Sequence, residues 1–159
     1  MPSHPTALGA EQDTATCDID VLNALLRGEV AAVGTYDQVI AKFDGQPQAV
    51  ELQRIRDEHT EVAAVLRERV RHFGGDPAEG PGVWGKLTAA ITGTAKIFGP
   101  AAALGTLKQG EEYGIGQYEN ALTDPEVDAE DKDLIRHRLL PRCNSHVAAL
   151  DRMIEAVKK

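Results

Sequence analysis

The sequence predicts an all-α protein, a four-helix bundle made of two helical hairpins joined by a long crossover. Apolar residues recur at helical spacings in four long segments, and no alternating, strand-like pattern extends beyond a few residues. The links within the two hairpins are short, whereas about 27 residues separate the second helix from the third. That single long connection favours a crossover topology over an up-down bundle with short loops throughout.

Length and charge restrict the class of protein. The chain has 159 residues, the size of one domain, and its formal net charge of −8 argues against a nucleic-acid surface or adhesion to an anionic membrane. Two cysteines are too few for a disulfide framework or a thiolate zinc finger. The N-terminus lacks the pattern of a signal peptide, and the most apolar stretch is interrupted by Lys96, Gly99 and Pro100. We therefore expect a soluble, cytoplasmic protein without a membrane segment.

The first hairpin follows a polar start. Residues 1–17 show no apolar period, and we expect a mobile tail before a bundle domain at 18–159. The first helix is predicted to begin at Asp18 or Asp20 as its N-cap and to stop at Asp44-Gly45. The second helix is predicted from about Pro47 to Gly74-Gly75, and the short link makes the two helices antiparallel.

The crossover is rich in glycine and proline at its start and then amphipathic, with Trp84, Leu87, Ile91 and Phe98. A loop of this length seldom lacks structure, so we expect it to contain a short helix. No Asp or Glu lies between Gly80 and Gly110. This acid-free stretch is a candidate surface for another subunit in a homo-oligomer, for another partner or for lipid, but packing across the bundle is the favoured interpretation.

The second hairpin is predicted to begin at Pro100, a residue well suited to the first turn of a helix. Asp124-Pro125 ends the third helix, and the fourth is predicted from about Asp128 almost to Lys159. Pro141 lies inside the fourth helix and should kink it, because proline removes a backbone donor.

An internal repeat links the hairpins. Gly28-Glu29, Gly34 and Tyr36 recur as Gly110-Glu111, Gly116 and Tyr118 at a constant offset of 82 residues. A weaker match at an offset of 87 residues pairs Leu52 and His59 with Leu139 and His146. The stronger match indicates duplication of a helical hairpin and hence a bundle with approximate twofold symmetry.

Each helix carries one titratable residue where its apolar stripe requires an apolar one. These four residues are Glu29, His59, Glu111 and His146. Ionised groups are almost never buried alone, so the four are expected to meet one another or a bound charge. Two carboxylates and two imidazoles form a donor set that suits iron, manganese or zinc. The alternatives are buried Glu–His hydrogen bonds, or side chains that turn to solvent at a bundle end.

Counting residues from the turns tests whether these positions share one level. Glu29 and His59 agree within about 3 Å at 1.5 Å per residue. Glu111 and His146 disagree by about 9 Å on the same count, and the kink at Pro141 is one feature that would absorb the difference.

Simpler roles are predicted for the residues that neighbour these four. Tyr36 and Tyr118 are predicted as core tyrosines whose hydroxyls reach back towards the polar layer, with roles as donors to the site as the alternative. Cys143 is predicted as a buried structural thiol, with a role as a soft ligand as the alternative. Glu58, Glu61 and Glu112 fall off the inner stripe and are predicted to be solvated.

Several short motifs together resemble a known group. They are Leu-Leu-Arg-Gly-Glu at 25–29 with Tyr36, His59 after Asp-Glu, Gly-Val-Trp-Gly at 82–85, Ile-Phe-Gly at 97–99, Leu-Lys-Gln-Gly-Glu-Glu at 107–112 with Tyr118, and Leu-Leu-Pro at 139–141 before His146. Across residues 18–157 the chain resembles a bacterial group of ferritin-like four-helix-bundle proteins, a domain of unknown function within the ferritin/rubrerythrin-like superfamily.

The resemblance implies a ferritin-like bundle and a reduced di-iron pattern. That pattern has one Glu on each of two helices and Glu-x-x-His on the other two. Carried over, Glu29 and Glu111 take the single Glu positions, and His59 and His146 the His positions. Arg56 and Cys143 stand where the remaining two glutamates would be. A metal site built from this set therefore has four protein ligands instead of six.

Two functional hypotheses follow. In the first, the bundle binds a transition metal, iron before manganese or zinc, through Glu29, His59, Glu111 and His146; superfamily resemblance implies a role in iron handling or the oxidative stress response. In the second, the bundle is a metal-free structural or interaction protein whose polar layer fixes helix register. Catalytic residues are not identified by either hypothesis.

Overall fold

A computed structural model describes residues 7–82 and 99–159 of the chain. Over these residues the protein is all-helical, and the predicted all-α four-helix bundle is confirmed. The helices are α1 (Ala7–Ile40, followed by a 3-10 turn at Ala41–Phe43), α2 (Gln48–His72), α3 (Pro100–Thr123) and α4, which runs in three consecutive parts, Ala129–Leu134, Ile135–Leu139 and Leu140–Val157. The predicted crossover helix lies outside the described residues. Within the described helices, none combines the length and apolar character needed to cross a bilayer.

The start of α1 differs from the prediction. The helix begins at Ala7 instead of Asp18, because the preceding segment is rich in strong helix formers even though it lacks an apolar stripe. Asp18 is therefore not an N-cap. Its side chain is buried in the interior of the fold, and its Oδ1 accepts a hydrogen bond from the backbone N–H of Asp128 at 2.8 Å. Asp18 thus attaches the beginning of α4 to α1.

The end of α2 and the start of α4 lie where the sequence predicts them. Gly74 adopts a φ of +78° after α2, and the N–H groups of Gly74 and Gly75 donate to the carbonyls of Arg71 and Val70. This is a Schellman motif, in which a residue with positive φ closes the helix. At the start of α4, Asp128 is the N-cap and its carboxylate accepts from the N–H of Glu130 at 2.8 Å.

Two apolar clusters fill the bundle, one towards each end. The first contains Leu26, Leu66, Tyr118 and Leu139, and the second contains Val39, Leu52, Leu104 and Leu150, one residue from each helix in each cluster. Along the chain, α1 and α4 pass from the first cluster to the second, whereas α2 and α3 pass in the opposite direction. The two hairpins are therefore related by an approximate twofold axis that crosses the bundle, and the candidate site lies between the clusters.

A π turn interrupts α4 just before Pro141. Residues Ile135–Leu139 form this turn, and the N–H of Leu140 donates to the carbonyl of Ile135, five residues earlier. Proline cannot donate a backbone hydrogen bond, and a locally wider turn is one way for a helix to accommodate it. The first turns of α4 extend to the C-terminal end of α2, where Asp131 pairs with Arg69 at 2.5 Å. α4 is thus long enough to bring His146 to the level of Glu111, although counting residues from the turns predicts a difference of about 9 Å.

Candidate metal centre

The four predicted polar residues meet in the middle of the bundle. Glu29, His59, Glu111 and His146 come from α1, α2, α3 and α4, and their exposures are 6%, 4%, 4% and 2%. Each lies between the two apolar clusters, because its helix supplies an apolar residue on either side. The stripes determine this position: a polar residue inside an apolar stripe must enter the core when the stripe packs.

His59 lies between two carboxylates. Its Nδ1 is 2.6 Å from Glu29 Oε2, and its Nε2 is 2.8 Å from Glu111 Oε1. Burial lowers the pKa of His59, but the adjacent carboxylates of Glu29 and Glu111 outweigh burial and raise the pKa to about 10. At neutral pH the ring is therefore an imidazolium that donates to both glutamates.

Glu111 accepts hydrogen bonds from three helices. Besides His59, the hydroxyl of Tyr36 donates to its Oε1 at 2.7 Å, and Nδ1 of His146 lies 3.3 Å from the carboxylate. Burial raises the pKa of Glu111, but His59 and His146 outweigh it and lower the pKa to about 2. Glu111 is consequently an ionised acceptor at every physiological pH.

The two tyrosines of the internal repeat each contact the other hairpin. Tyr36 of α1 donates to Glu111 of α3, and Tyr118 of α3 donates to Glu29 of α1. Burial, together with the charge of Glu111 beside Tyr36 and of Glu29 beside Tyr118, raises the pKa of both phenols well above the usual value. Both phenols therefore remain protonated. They are core tyrosines with satisfied hydroxyls, as predicted, and these hydroxyls also donate to the site.

Glu58 breaks the twofold relation and was missed by sequence reasoning. His59 bridges both glutamates, whereas the repeat-related His146 contacts Glu111 on one side and Glu58 on the other, with Nε2 2.7 Å from Glu58 Oε2. Burial raises the pKa of Glu58, but His146 and Arg54 outweigh it and lower the pKa. The predicted solvated role is wrong for Glu58. The stripe pattern gives no signal for it, because Glu58 falls off the inner stripe.

Two positions near the site hold Arg56 and Cys143 where the di-iron pattern has glutamates. Their side chains make different contacts. Arg56 projects away and pairs with Asp37 at 2.6 Å. Cys143 is buried, and its burial, with Glu111 and Glu29 close by, raises the pKa of the thiol. In the metal-free protein the thiol therefore stays protonated, in agreement with a structural role.

Three of the four residues have the geometry to hold a metal ion. His59, Glu111 and His146 each offer one donor atom, and these atoms lie within 4.8 Å of one another in a buried setting. Glu29 approaches His59 from the other ring nitrogen. The donor set of imidazole nitrogen and carboxylate oxygen fits a transition metal and does not fit calcium, which prefers oxygen alone.

Fold and site together define a four-helix-bundle protein with a buried acid–histidine centre. The chain belongs to the family described as Domain of unknown function (DUF2383), whose model matches residues 18–124, a segment that includes Glu29, His59 and Glu111. No curated protein and no solved structure matches the chain.

Proposed function

We propose that this protein binds one transition metal ion in the bundle core through His59, Glu111 and His146, with Glu29 hydrogen-bonded to the opposite ring nitrogen of His59 and orienting that ring. The observation that carries the proposal is the convergence of three buried donor atoms within 4.8 Å. Iron is the first candidate, with manganese and zinc as alternatives, because these ions bind mixed imidazole and carboxylate sets. As a ferritin-like bundle, the protein would act in iron handling or the response to oxidative stress; bound iron would supply one-electron redox chemistry.

The hydrogen bonds of the site imply that a metal ion competes with protons. His59 donates through both nitrogens to Glu29 and Glu111, so it must lose a proton before either nitrogen can bind a metal. The two carboxylates would neutralise a divalent cation in place of the imidazolium. Metal affinity should therefore rise with pH, and metal uptake should release protons.

The test is metal binding by protein purified without a chelator. We expect metal in the protein as isolated, and one equivalent of Fe(II) taken up by the stripped protein in an anaerobic titration. The variants His59→Gln and His146→Gln remove a donor nitrogen but keep an amide for hydrogen bonding, and both should lose stoichiometric binding. His72→Gln, at the exposed end of α2, is the matched control and should bind as the wild type does.

The result identifies the class of site. Oxidation of bound Fe(II) on exposure to oxygen would support iron handling, whereas one equivalent of zinc without redox change would support a structural metal. Unchanged binding in both Gln variants, with helical content preserved by circular dichroism, would refute the ligand assignment.

A second candidate function is a metal-free bundle whose polar layer sets the helix register. The observation that favours it is hydrogen-bond satisfaction: within the described structure, no side-chain atom of the four residues is among the buried polar atoms without a partner. Satisfied buried networks can specify one packing arrangement. Absence of metal in the isolated protein, with a Tm unmoved by iron, manganese or zinc, would favour this function.

A further inference from the structure

A cavity between α1 and α3 extends to the candidate metal centre. Its volume is about 280 Å³, and its wall includes Glu29, His59 and Glu111. The rest of the wall is dominated by small residues of the two helices, among them Ala31 and Gly114. The cavity thus connects a space bounded by small side chains to the charged core.

Glycines keep this space open. Gly28, Gly110 and Gly114 line the cavity from helix interiors, where glycine is less favourable than alanine. A glycine inside a helix often permits another backbone to approach closely. Here a Cβ built on any of the three would meet nothing within 4 Å beyond its own helix backbone. Close helix packing therefore does not explain these glycines, and the space beside them is open.

The volume fits a small organic molecule. An apolar cavity of about 150 Å³ in another protein is known to bind benzene. At about 280 Å³, this cavity has room for a substituted aromatic ring.

The charges at the cavity wall select the polarity of the ligand. Glu29 and Glu111 are acceptors, and the hydroxyls of Tyr36 and Tyr118 already donate to them. His59 donates to the same carboxylates through both of its nitrogens. Each carboxylate keeps further lone pairs that can accept from a ligand donor, and two carboxylates disfavour an anion.

We propose that this cavity binds a neutral, mainly apolar small molecule that carries a hydroxyl group, of the size of a substituted phenol. The ring occupies the space beside Gly28, Gly110 and Gly114, and the hydroxyl donates to the carboxylate pair of Glu29 and Glu111. Binding requires no metal ion, although the hydroxyl uses Glu29 and Glu111, which also belong to the proposed metal centre.

The experiment measures the binding of three probes to metal-stripped protein by calorimetry and ligand-observed NMR. The probes are 4-methylphenol, toluene, which lacks the hydroxyl, and 4-methylbenzoate, which is anionic. We expect 4-methylphenol to bind at one equivalent, toluene to bind at least fivefold more weakly, and 4-methylbenzoate not to bind. Gly114→Leu should fill the space and weaken 4-methylphenol binding at least tenfold. Gly116→Leu, on the same helix but outside the cavity wall, is the matched control and should bind within twofold of the wild type.

Three results would overturn the proposal: no binding of 4-methylphenol, equal affinity for toluene, or unchanged affinity in Gly114→Leu. Thr106→Leu, on the same wall, replaces Gly114→Leu if that variant does not fold. A parallel Fe(II) titration separates the two proposals. Binding of 4-methylphenol without binding of Fe(II) would support the ligand site and refute the metal function. Binding of Fe(II) without binding of 4-methylphenol would support the metal function and refute the ligand site.

Discussion

At the level of single residues, the charge of His59 decides how the core tolerates two buried glutamates. The imidazolium lies 2.6 Å from one carboxylate and 2.8 Å from the other. Without it, Glu29 and Glu111 would be two buried like charges with only tyrosine hydroxyls and His146 as partners. The pairing is therefore required for the metal-stripped fold, whatever the site binds.

Truncation of His59 should reveal this requirement. We expect His59→Ala to lower the free energy of unfolding of the metal-stripped protein by about 3–5 kcal/mol, the usual cost of leaving a buried ion without its partner. Urea denaturation measures the change. His72→Ala, at the exposed end of α2, should stay within about 0.5 kcal/mol of the wild type. A His59→Ala variant as stable as His72→Ala would show that the glutamates do not depend on the imidazolium.

The raised pKa of His59 also predicts a pH dependence. A histidine whose folded pKa is about 10 against an ordinary 6.5 binds its proton more tightly in the native state, so its contribution is full below pH 6.5 and is lost as pH rises towards 10. Between pH 7 and 8.5, the unfolding free energy of the metal-stripped protein should fall as pH rises, by about 1 kcal/mol per pH unit. Denaturation curves at three pH values test this. His59→Gln should abolish most of the slope, and an unchanged slope would contradict the assignment.

The sequence was sufficient to place the polar layer but not all of its partners. Glu29, His59, Glu111 and His146 could be found because each interrupts an apolar stripe. Glu58 could not, because stripe position alone does not show that a side chain one residue from His59 reaches the neighbouring helix. The contact with His146 depends on the rotation of α2 relative to α4, which is set by packing.

At the level of helices, the end of α2 depends on a close approach. A Cβ on Gly75 would lie 2.8 Å from Cγ2 and 2.9 Å from Cγ1 of Ile19, so only glycine fits against α1 there. We expect Gly75→Ala to destabilise the protein by about 1–3 kcal/mol through overpacking. Gly80→Ala, where the same construction meets nothing within 4 Å, is the matched control and should be nearly neutral. Thermal unfolding compares the two, and equal Tm values would show that Ile19 moves aside at no cost.

Two features of the helices could not be predicted from the sequence, for different reasons. Apolar periodicity predicts a helix from Asp18 only, whereas α1 starts at Ala7, because intrinsic helix propensity extends the helix beyond its apolar stripe. The length of α4 was predicted, but its relation to α3 was not. Rise per residue assumes a regular helix that starts level with its neighbour, whereas α4 starts beside the C-terminal end of α2 and contains a π turn.

For the whole molecule, the polar layer between the two apolar clusters is expected to stabilise the fold less than apolar side chains would. Burying charges is seldom more stabilising than packing apolar side chains of similar volume. We expect the variant with Leu at positions 29, 59, 111 and 146 and Phe at positions 36 and 118 to keep its helices. It should be as stable as the metal-stripped wild type or up to about 4 kcal/mol more stable.

Urea denaturation and Fe(II) titration of this variant separate function from folding. Retained stability with lost metal binding would indicate that the layer serves the site. Loss of a single cooperative transition would instead indicate that the layer sets the helix register, which is the metal-free function described above.

The contact of each repeat tyrosine with the opposite hairpin determines how the centre forms. Each hairpin holds one glutamate, one histidine and one tyrosine of the repeat, and each tyrosine serves the glutamate of the opposite hairpin. Neither half completes its own centre, and two copies of one half would carry the same complement of groups. The centre is in this sense an association interface folded into a single chain. The covalent connection between the hairpins replaces dimerisation by setting the effective concentration at which the two halves meet.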